Sequence, residues 1–181
     1  MCIRNRELFL FLCYNCFVMV MSKIKDLLKD KNSVLVFDID GVLALMEFGE
    51  YNHYGLLTDD EWNDACETTS FYTEDKVSKK IQSFLKDKDM KRVFVITRVN
   101  NIKEIDYKKD YVNKYYNIIK DNVYCVLSDN SKVKELNEIR SKFNDIEDYQ
   151  LIMIDDTTKI LTEIQEKTHY STAHISSFLD I

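Results

Sequence analysis

The sequence contains no proline and only three glycines in 181 residues, so the residues that most often mark turns are nearly absent. The boundaries of helices and strands must therefore be read from the spacing of apolar residues and from Asn, Asp and Ser. The scarcity of glycine also gives weight to Gly41, because glycine is the residue that permits unusual backbone turns.

Cysteine is also scarce outside the first 21 residues. Three of the five cysteines lie in that segment, which leaves Cys66 and Cys125 in the rest of the chain. Two isolated cysteines provide neither a disulfide framework nor a C-x-x-C metal pair. This pattern favours a reducing compartment, and we expect a cytoplasmic protein.

An excess of positive charge is missing as well. The chain has 25 Lys and Arg against 31 Asp and Glu, a formal charge of −6. It therefore lacks the broad basic field that holds a long stretch of nucleic acid, and any contact with nucleic acid must be local. The 45% of hydrophobic residues excludes a disordered chain and is sufficient for one buried core.

No apolar run is long enough for a typical membrane helix. The run Leu8–Met21 is shorter than the roughly 20 residues that a span requires, and Asn15 interrupts it. It also lacks an A-x-A-like cleavage site. We interpret residues 1–21 as an N-terminal appendage, with Met21 as a possible true start and a membrane anchor as the alternative. Residues 22–181 are then the globular domain.

Four short apolar runs predict strands that are buried on both faces, because their hydrophobicity is continuous rather than alternating. They are Val34–Phe37, Val93–Ile96, Val123–Leu127 and Leu151–Ile154. Helical spacing of apolar residues occurs between and after them, at 74–88, 107–120, 133–143 and 159–167. This alternation predicts a doubly wound, Rossmann-like α/β domain, with a parallel sheet and helices on both faces.

Charged and hydroxyl side chains stand where these strands end. In open α/β sheets ligands bind at the carboxyl ends of the strands. We therefore expect four carboxylates, a hydroxyl and one or two ammonium groups to meet at one sheet edge. The residues at these positions are Asp38 and Asp40 after the first strand, Thr97 and Arg98 after the second, Lys132 and Lys134 at the start of the next helix, and Asp155 and Asp156 after the last strand.

The pair Asp38 and Asp40 has the chemistry of phosphoryl transfer. Side chains at i and i+2 leave a strand on the same side, and Gly41 permits a turn that brings both carboxyl groups towards one centre. One carboxylate can attack phosphorus and form an acyl phosphate. The other can protonate the leaving oxygen and then accept a proton from water.

Four carboxylates in one place would repel one another and an anionic substrate. Mg²⁺ removes this difficulty, since it prefers oxygen ligands and keeps positions for water and phosphate. The candidate ligands are Asp38, Asp40, Asp155 and Asp156. Thr97 can donate to a phosphoryl oxygen, and a lysine can stabilise the transferring group as a point charge.

Each of these features has an ordinary interpretation when it stands alone. Thr97 could cap a strand, the two lysines could be solvated helix residues, and Asp155 could cap a helix N-terminus. A calcium-binding EF-hand loop is excluded, because Gly41 is the fourth residue from Asp38 and the pattern requires glycine sixth. The ordered combination of all these features is what indicates a phosphatase site.

This combination resembles the four ordered motifs of the haloacid dehalogenase-like (HAD) phosphohydrolases over roughly residues 32–168. The resemblance implies that Asp38 is the nucleophile and Asp40 the acid/base. It implies that Thr97, Arg98 and a lysine bind phosphate, and that Asp155 and Asp156 form the magnesium side. The second aspartate of the first motif is typical of phosphatases rather than dehalogenases.

Within this superfamily the sequence is most similar to the phosphatase domain of phage-type polynucleotide kinase/phosphatases. The similar context Val133-Lys134-Glu135 leads us to prefer Lys134 to Lys132 as the phosphate-binding lysine. Residues 45–73 occupy the position of the superfamily's cap insert, and about thirty residues are too few for a cap domain of typical size. We expect a small flap and an open site.

We therefore expect a Mg²⁺-dependent phosphomonoesterase that acts on a nucleotide or on the end of a nucleic acid. A phosphatase of small metabolites with the same mechanism is one alternative. The other is a non-catalytic, receiver-like domain, although receivers carry the acidic pair after the first strand rather than the last. The sequence leaves the oligomeric state open.

Overall fold

Five strands form one parallel sheet in the computed structural model, which describes residues 23–45, 60, 64, 72–100, 102–127, 131–179 and 181. The strands are β1 (Val34–Phe37), β2 (Val93–Val99), β3 (Val123–Leu127), β4 (Leu151–Asp155) and β5 (Ser171–His174). Their order is β3-β2-β1-β4-β5, and every neighbouring pair is parallel. The prediction of a Rossmann-like α/β fold is thereby confirmed.

The four predicted strands are present, and two of them are longer than expected. Strand β2 continues to Val99, so Thr97 and Arg98 belong to the end of the strand rather than to the loop after it. Strand β4 includes Asp155. The fifth strand, Ser171–His174, was not predicted, because only one of its four residues is buried and its sequence is mostly polar.

Four helices connect or follow the strands: α1 (Lys79–Leu85), α2 (Ile102–Tyr116), α3 (Val133–Ser141) and α4 (Thr158–Lys167). Residues 23–29 are also helical. Helix α1 is shorter than predicted, because Glu74–Lys76 forms a separate 3-10 turn and Ser78 then caps α1. Helix α2 begins five residues earlier than predicted, which places Glu104 and Lys108 on the same helix.

Each face of the sheet is covered by its own hydrophobic core. Leu35 and Phe37 of β1 belong to the core under α1 and α2, whereas Val34 and Val36 belong to the core under α3 and α4. Successive strand residues point to opposite faces, so a fully apolar strand requires helices on both. The helices contribute apolar residues at helical spacing: Ile81, Leu85, Tyr111 and Val112 on one face, and Leu136, Ile139, Ile160, Leu161 and Ile164 on the other.

The order of the strands determines where a ligand can bind. The chain proceeds outward from β1 to β2 and β3 on one side, and to β4 and β5 on the other. A crevice therefore opens at the carboxyl ends of β1 and β4, where the winding direction reverses. Asp38 follows β1 directly, and Asp155 is the last residue of β4.

Two sequence predictions fall largely outside the described residues. One is the appendage at 1–21, none of which is described. The other is the flap at 45–73, where the structure describes only positions 45, 60, 64, 72 and 73. Across the described part of the chain, no helix combines the length and the apolar character that crossing a membrane requires.

Candidate active site

A tight turn follows β1 and holds the first motif in place. The carbonyl oxygen of Ile39 accepts hydrogen bonds from three backbone N–H groups, those of residues 42, 43 and 44. Gly41 has a φ of +77°, a conformation that side chains with a Cβ rarely adopt. A Cβ at this position would also lie 2.2 Å from Oδ2 of Asp156. The turn therefore requires glycine both for its backbone and for the close approach of Asp156.

Lys132 joins the ends of β1 and β4. Its Nζ lies 2.9 Å from Oδ1 of Asp38 and 2.8 Å from Oδ2 of Asp155, and its side chain is 1% exposed. The carboxyl groups of Asp38, Asp155 and Asp156 each offer an oxygen atom within 4.8 Å of the others. We refer to Asp38, Lys132, Asp155 and Asp156 as the Lys132 cluster.

The three carboxylates of the Lys132 cluster fit a hard divalent cation. Each offers a carboxylate oxygen, the type of ligand that such cations prefer, and these oxygens lie within 4.8 Å of one another. Lys132 offsets one of the three negative charges, so two remain for a cation to neutralise. The side chain of Asp40 is not a member of this group, and its role as a fourth ligand stays a prediction.

Asp155 and Asp156 of the Lys132 cluster have raised pKa values. Burial is the main cause for Asp155, and the nearby charge of Asp38 adds to it. Burial, together with Asp155 and Asp38, raises the pKa of Asp156 to about 6. Burial alone would lower the pKa of Lys132, but the charges of Asp38 and Asp155 raise it above its ordinary value, so Lys132 stays protonated.

A second buried lysine, Lys108 of α2, holds the other half of the first motif. Its Nζ lies 2.8 Å from Oδ2 of Asp40, 2.7 Å from Oε1 of Glu104 and 3.1 Å from Oγ1 of Thr97. It also donates to the backbone oxygen of Arg98, and its side chain is 1% exposed. We refer to Asp40, Thr97, Glu104 and Lys108 as the Lys108 cluster.

Asp40 accepts a hydrogen bond on each of its carboxyl oxygens. The hydroxyl of Tyr72 donates to Oδ1 at 3.0 Å, and Lys108 donates to Oδ2. Burial and the charge of Asp38 raise the pKa of Asp40, although Lys108 and Tyr72 oppose this effect. The pKa of Lys108 is raised despite its burial, because Asp40 and Glu104 favour its charged form.

The structure brings most of the residues singled out from the sequence to one edge of the sheet. Asp38, Lys132, Asp155 and Asp156 meet in the Lys132 cluster, and Asp40 and Thr97 meet in the Lys108 cluster. The side chain of Arg98 is exposed, and only its backbone oxygen takes part.

The structure places Lys132, rather than the preferred Lys134, among the carboxyl groups of the site. Lys132 stands at the N-cap position of α3 and its side chain reaches Asp38 and Asp155, whereas Lys134 is exposed. Residues two positions apart do not face the same direction on a helix, so only one of the two can point into the site.

The sequence reasoning missed Glu104 and Lys108. A signal was present, since Glu104, Lys108, Tyr111 and Val112 follow the spacing of one helix face. All four are buried. The predicted start at residue 107 excluded Glu104 from the helix, and the charged pair on its apolar side was therefore not recognised.

Comparisons with known proteins provide the fold but no family. No protein-family model matches the sequence, and no curated protein matches it. The chain is similar to a solved structure described as "Structure of DsGPDH of Dunaliella salina", with 16% sequence identity and a TM-score of 0.51. The similarity covers 84% of this chain but 25% of that one, so the chain spans about a quarter of its length. At this identity the likeness concerns the α/β fold alone.

Proposed function

We propose that this protein is a Mg²⁺-dependent phosphomonoesterase that forms an aspartyl phosphate on Asp38. The observation that carries the proposal is the Lys132 cluster, in which three carboxylates and a buried ammonium group meet at the switch point between β1 and β4. Asp40 and Thr97 stand beside it at the ends of β1 and β2. These are the parts that phosphoryl transfer needs.

Each residue has a defined task in this reaction. The carboxylate of Asp38 attacks phosphorus, and Asp40 gives a proton to the leaving oxygen and later takes one from the attacking water. Thr97 donates to a phosphoryl oxygen, and Lys132 orients Asp38 through the ion pair at 2.9 Å. Mg²⁺, when held by Asp38, Asp155 and Asp156, supplies the positive charge that allows a phosphate to approach these carboxylates.

The resemblance to HAD phosphohydrolases supports the same reaction, and the resemblance to polynucleotide phosphatase domains supports a nucleotide or a nucleic-acid end as substrate.

The strand order argues against the receiver-like alternative. Receiver domains have the order 2-1-3-4-5. Here β1 lies between β2 and β4, which is the classical order of doubly wound sheets.

An assay with a panel of phosphate esters tests the proposal. The panel contains nucleoside 3′- and 5′-monophosphates, 3′- and 5′-phosphorylated oligonucleotides and sugar phosphates. We expect hydrolysis with Mg²⁺ and none after EDTA treatment. Asp38→Asn should lower kcat/KM by at least about a thousandfold, roughly 4 kcal/mol of transition-state stabilisation.

Asp106→Asn is the matched control, because Asp106 is an exposed aspartate on α2. It should retain the activity of the unchanged protein. Full hydrolysis in metal-free buffer, or by Asp38→Asn, would contradict the proposal. A preference of more than tenfold for sugar phosphates would instead leave the reaction in place and replace the substrate class.

A further inference from the structure

Burying the ammonium group of Lys108 costs free energy. A buried charge must be paired, and an apolar side chain of similar volume would fill the same space without that electrostatic cost. Lys108 is nevertheless fully enclosed, and its Nζ contacts Asp40, Thr97, Glu104 and the backbone oxygen of Arg98. The proposed reaction assigns a task to two of these residues, Asp40 and Thr97.

We infer that Lys108 is a positioning residue, held by Glu104, that orients the Asp40 carboxyl group for proton transfer and the Thr97 hydroxyl for donation to phosphate. The inference rests on the proposed function and adds a residue that the sequence motifs do not contain. Lys108 contacts no reacting atom in this scheme. It acts by deciding which atoms of Asp40 and Thr97 remain available to the substrate.

The effect on Thr97 follows from the donor capacity of lysine. An ammonium group has three N–H donors and no acceptor, so at 3.1 Å the oxygen of Thr97 must be the acceptor. The single hydroxyl proton of Thr97 is therefore directed away from Lys108. Its contact with the backbone oxygen of Arg98 is long, at 3.4 Å, so the proton can turn to a phosphoryl oxygen at little cost.

The effect on Asp40 follows from the same property. Because Lys108 can only donate, Oδ2 of Asp40 has to accept, and a proton carried by Asp40 must reside on Oδ1. Oδ1 faces the hydroxyl of Tyr72, which can accept as well as donate and therefore tolerates either state. Lys108 thus selects Oδ1 as the oxygen that exchanges the proton.

The reaction has two steps, and Asp40 carries the proton in both. A bond forms between an Asp38 oxygen and phosphorus while the bond from phosphorus to the leaving oxygen breaks, and its electron pair stays on the leaving oxygen. That oxygen takes the proton from Oδ1 of Asp40. In the second step water attacks phosphorus, gives its proton back to Asp40, and releases Asp38 and inorganic phosphate.

Glu104 holds Lys108 from behind. Its Oε1 pairs with Lys108 at 2.7 Å, and its Oε2 accepts the backbone N–H of Asn100 at 2.8 Å. The carboxylate therefore ties the first turn of α2 to the loop after β2 while it fixes the ammonium group. Removing its charge should loosen Lys108 without removing it.

The test uses two substrates with different leaving groups. A nucleoside 3′-monophosphate releases an alkoxide, which needs a proton, whereas p-nitrophenyl phosphate releases a phenolate that leaves without one. General acid catalysis contributes about 10² to 10⁴-fold to a rate. We expect Lys108→Met to lower kcat/KM about a hundredfold or more for the nucleotide and less than about tenfold for p-nitrophenyl phosphate.

Three further variants define the pattern. Asp40→Asn should show the same dependence on the leaving group, because it removes the proton donor itself. Lys109→Met, the neighbouring lysine on α2, should retain both activities. Glu104→Gln keeps the shape of its side chain and should show a smaller loss in the same direction, and it replaces Lys108→Met as the test if that variant does not fold.

The results distinguish a positioning role of Lys108 from the phosphatase activity itself. A folded Lys108→Met variant that loses activity equally on both substrates would overturn the orientation of Asp40 and leave only that of Thr97. A variant that loses none would overturn the positioning role as a whole while leaving the phosphatase in place. An unchanged protein that hydrolyses neither substrate with Mg²⁺ would overturn the proposed function, and the positioning role with it. A loss confined to the nucleotide supports both.

Discussion

At the scale of single residues, two buried lysines divide the carboxylates of the site between them. Asp38 and Asp40 are only two residues apart, yet Asp38 pairs with Lys132 and Asp40 pairs with Lys108. Lys132 also pairs with Asp155, and Lys108 also pairs with Glu104, so each lysine is fixed in place and holds its aspartate of the motif in one orientation. The nucleophile and the acid/base of the proposed reaction are kept apart by this division.

The two lysines at the start of α3 provide a matched pair of substitutions. Lys132→Met should lower kcat/KM for a nucleoside monophosphate by about a hundredfold or more, as expected when a charged donor is removed from a phosphoryl-transfer site. Lys134→Met should leave it within about twofold, since Lys134 is exposed. Steady-state kinetics of the two purified variants measure the difference, and equal losses would contradict the assignment of Lys132.

Because the space around Gly41 is tight, a methyl group added at this position should affect both the stability of the fold and Mg²⁺ binding. Gly41→Ala should destabilise the fold by about 1 kcal/mol or more through its positive φ alone. The new Cβ would also displace the carboxyl group of Asp156, which lies 2.2 Å from its position. Thermal unfolding and a Mg²⁺ titration should therefore both change. A variant with unaltered Mg²⁺ affinity would show that Asp156 is not a ligand.

The raised pKa of Asp156 predicts how Mg²⁺ binding depends on pH. A carboxyl group must be ionised to bind a cation. Since the pKa of Asp156 is about 6, the stabilisation by Mg²⁺ should be small at pH 5, rise through pH 6 and level off above pH 7. Without Mg²⁺ the sign is opposite, because a raised carboxyl pKa contributes stability at low pH that is lost as the pH rises through about 6.

Melting temperatures measured with Mg²⁺ and with EDTA at several pH values separate these two effects. Asp156→Asn is the control, since an amide does not titrate and the rise through pH 6 should flatten. A stabilisation by Mg²⁺ that is the same at pH 5 and pH 7 would contradict the assigned ligands.

At the scale of elements, α2 connects the site to the rest of its face of the sheet. Its first half carries Glu104 and Lys108, and its second half carries Tyr111 and Tyr116. Both tyrosine hydroxyls donate to the backbone oxygen of Leu43, in the turn after β1. One helix thus supports the turn that contains Asp40 from two directions.

The hydroxyl of Tyr116 also holds the start of α1. It accepts the backbone N–H of Ser78, the capping residue of α1, at 2.8 Å. Tyr116→Phe would leave that buried N–H with only its longer contact to the backbone oxygen of Leu43, at 3.4 Å, and would remove a donor from that oxygen. We expect a loss of about 1 kcal/mol of unfolding free energy. Urea denaturation measures this loss, and Tyr149→Phe, at an exposed tyrosine, should change stability by less than about 0.5 kcal/mol. Equal stabilities of the two variants would contradict this role.

At the scale of the whole molecule, the acidic charge limits how much of a nucleic acid the protein can hold. The formal charge is −6, and binding to a phosphate backbone depends on lysine and arginine. If the substrate is a nucleic-acid end, only the few nucleotides nearest the site can add binding energy. That energy can lower the barrier at the reacting phosphate.

A series of 3′-phosphorylated oligonucleotides tests this limit. We expect kcat/KM to rise from one to about three nucleotides and then to stay constant, with a salt dependence that corresponds to about two or three phosphate contacts. The 5′-phosphorylated series serves as the comparison. A rise that continues to eight nucleotides, together with a steep salt dependence, would show an extended binding surface instead.

The sequence by itself determined most of the central sheet and which residues stand at its edge. Val34–Phe37 and Val123–Leu127 have the predicted bounds, because both runs are apolar throughout. The prediction of burial on both faces is confirmed for Val34–Phe37 and wrong for Val123–Leu127, which is an edge strand with Leu127 exposed. Asp38 and Asp155 were placed at one edge by the same reasoning, since parallel strands end together.

Only the tertiary structure decided which side chains pair. Strand β5 has too few buried residues to be recognised from its sequence, and α2 begins before its apolar spacing becomes clear. Lys108 and Asp40 are 68 residues apart in the chain, and Lys132 and Asp155 are 23 apart. Such contacts depend on the order of the strands and on the exact turn at which a helix begins, because a buried ion pair forms only when both partners are delivered to the same point. Local sequence patterns therefore do not predict these long-range contacts.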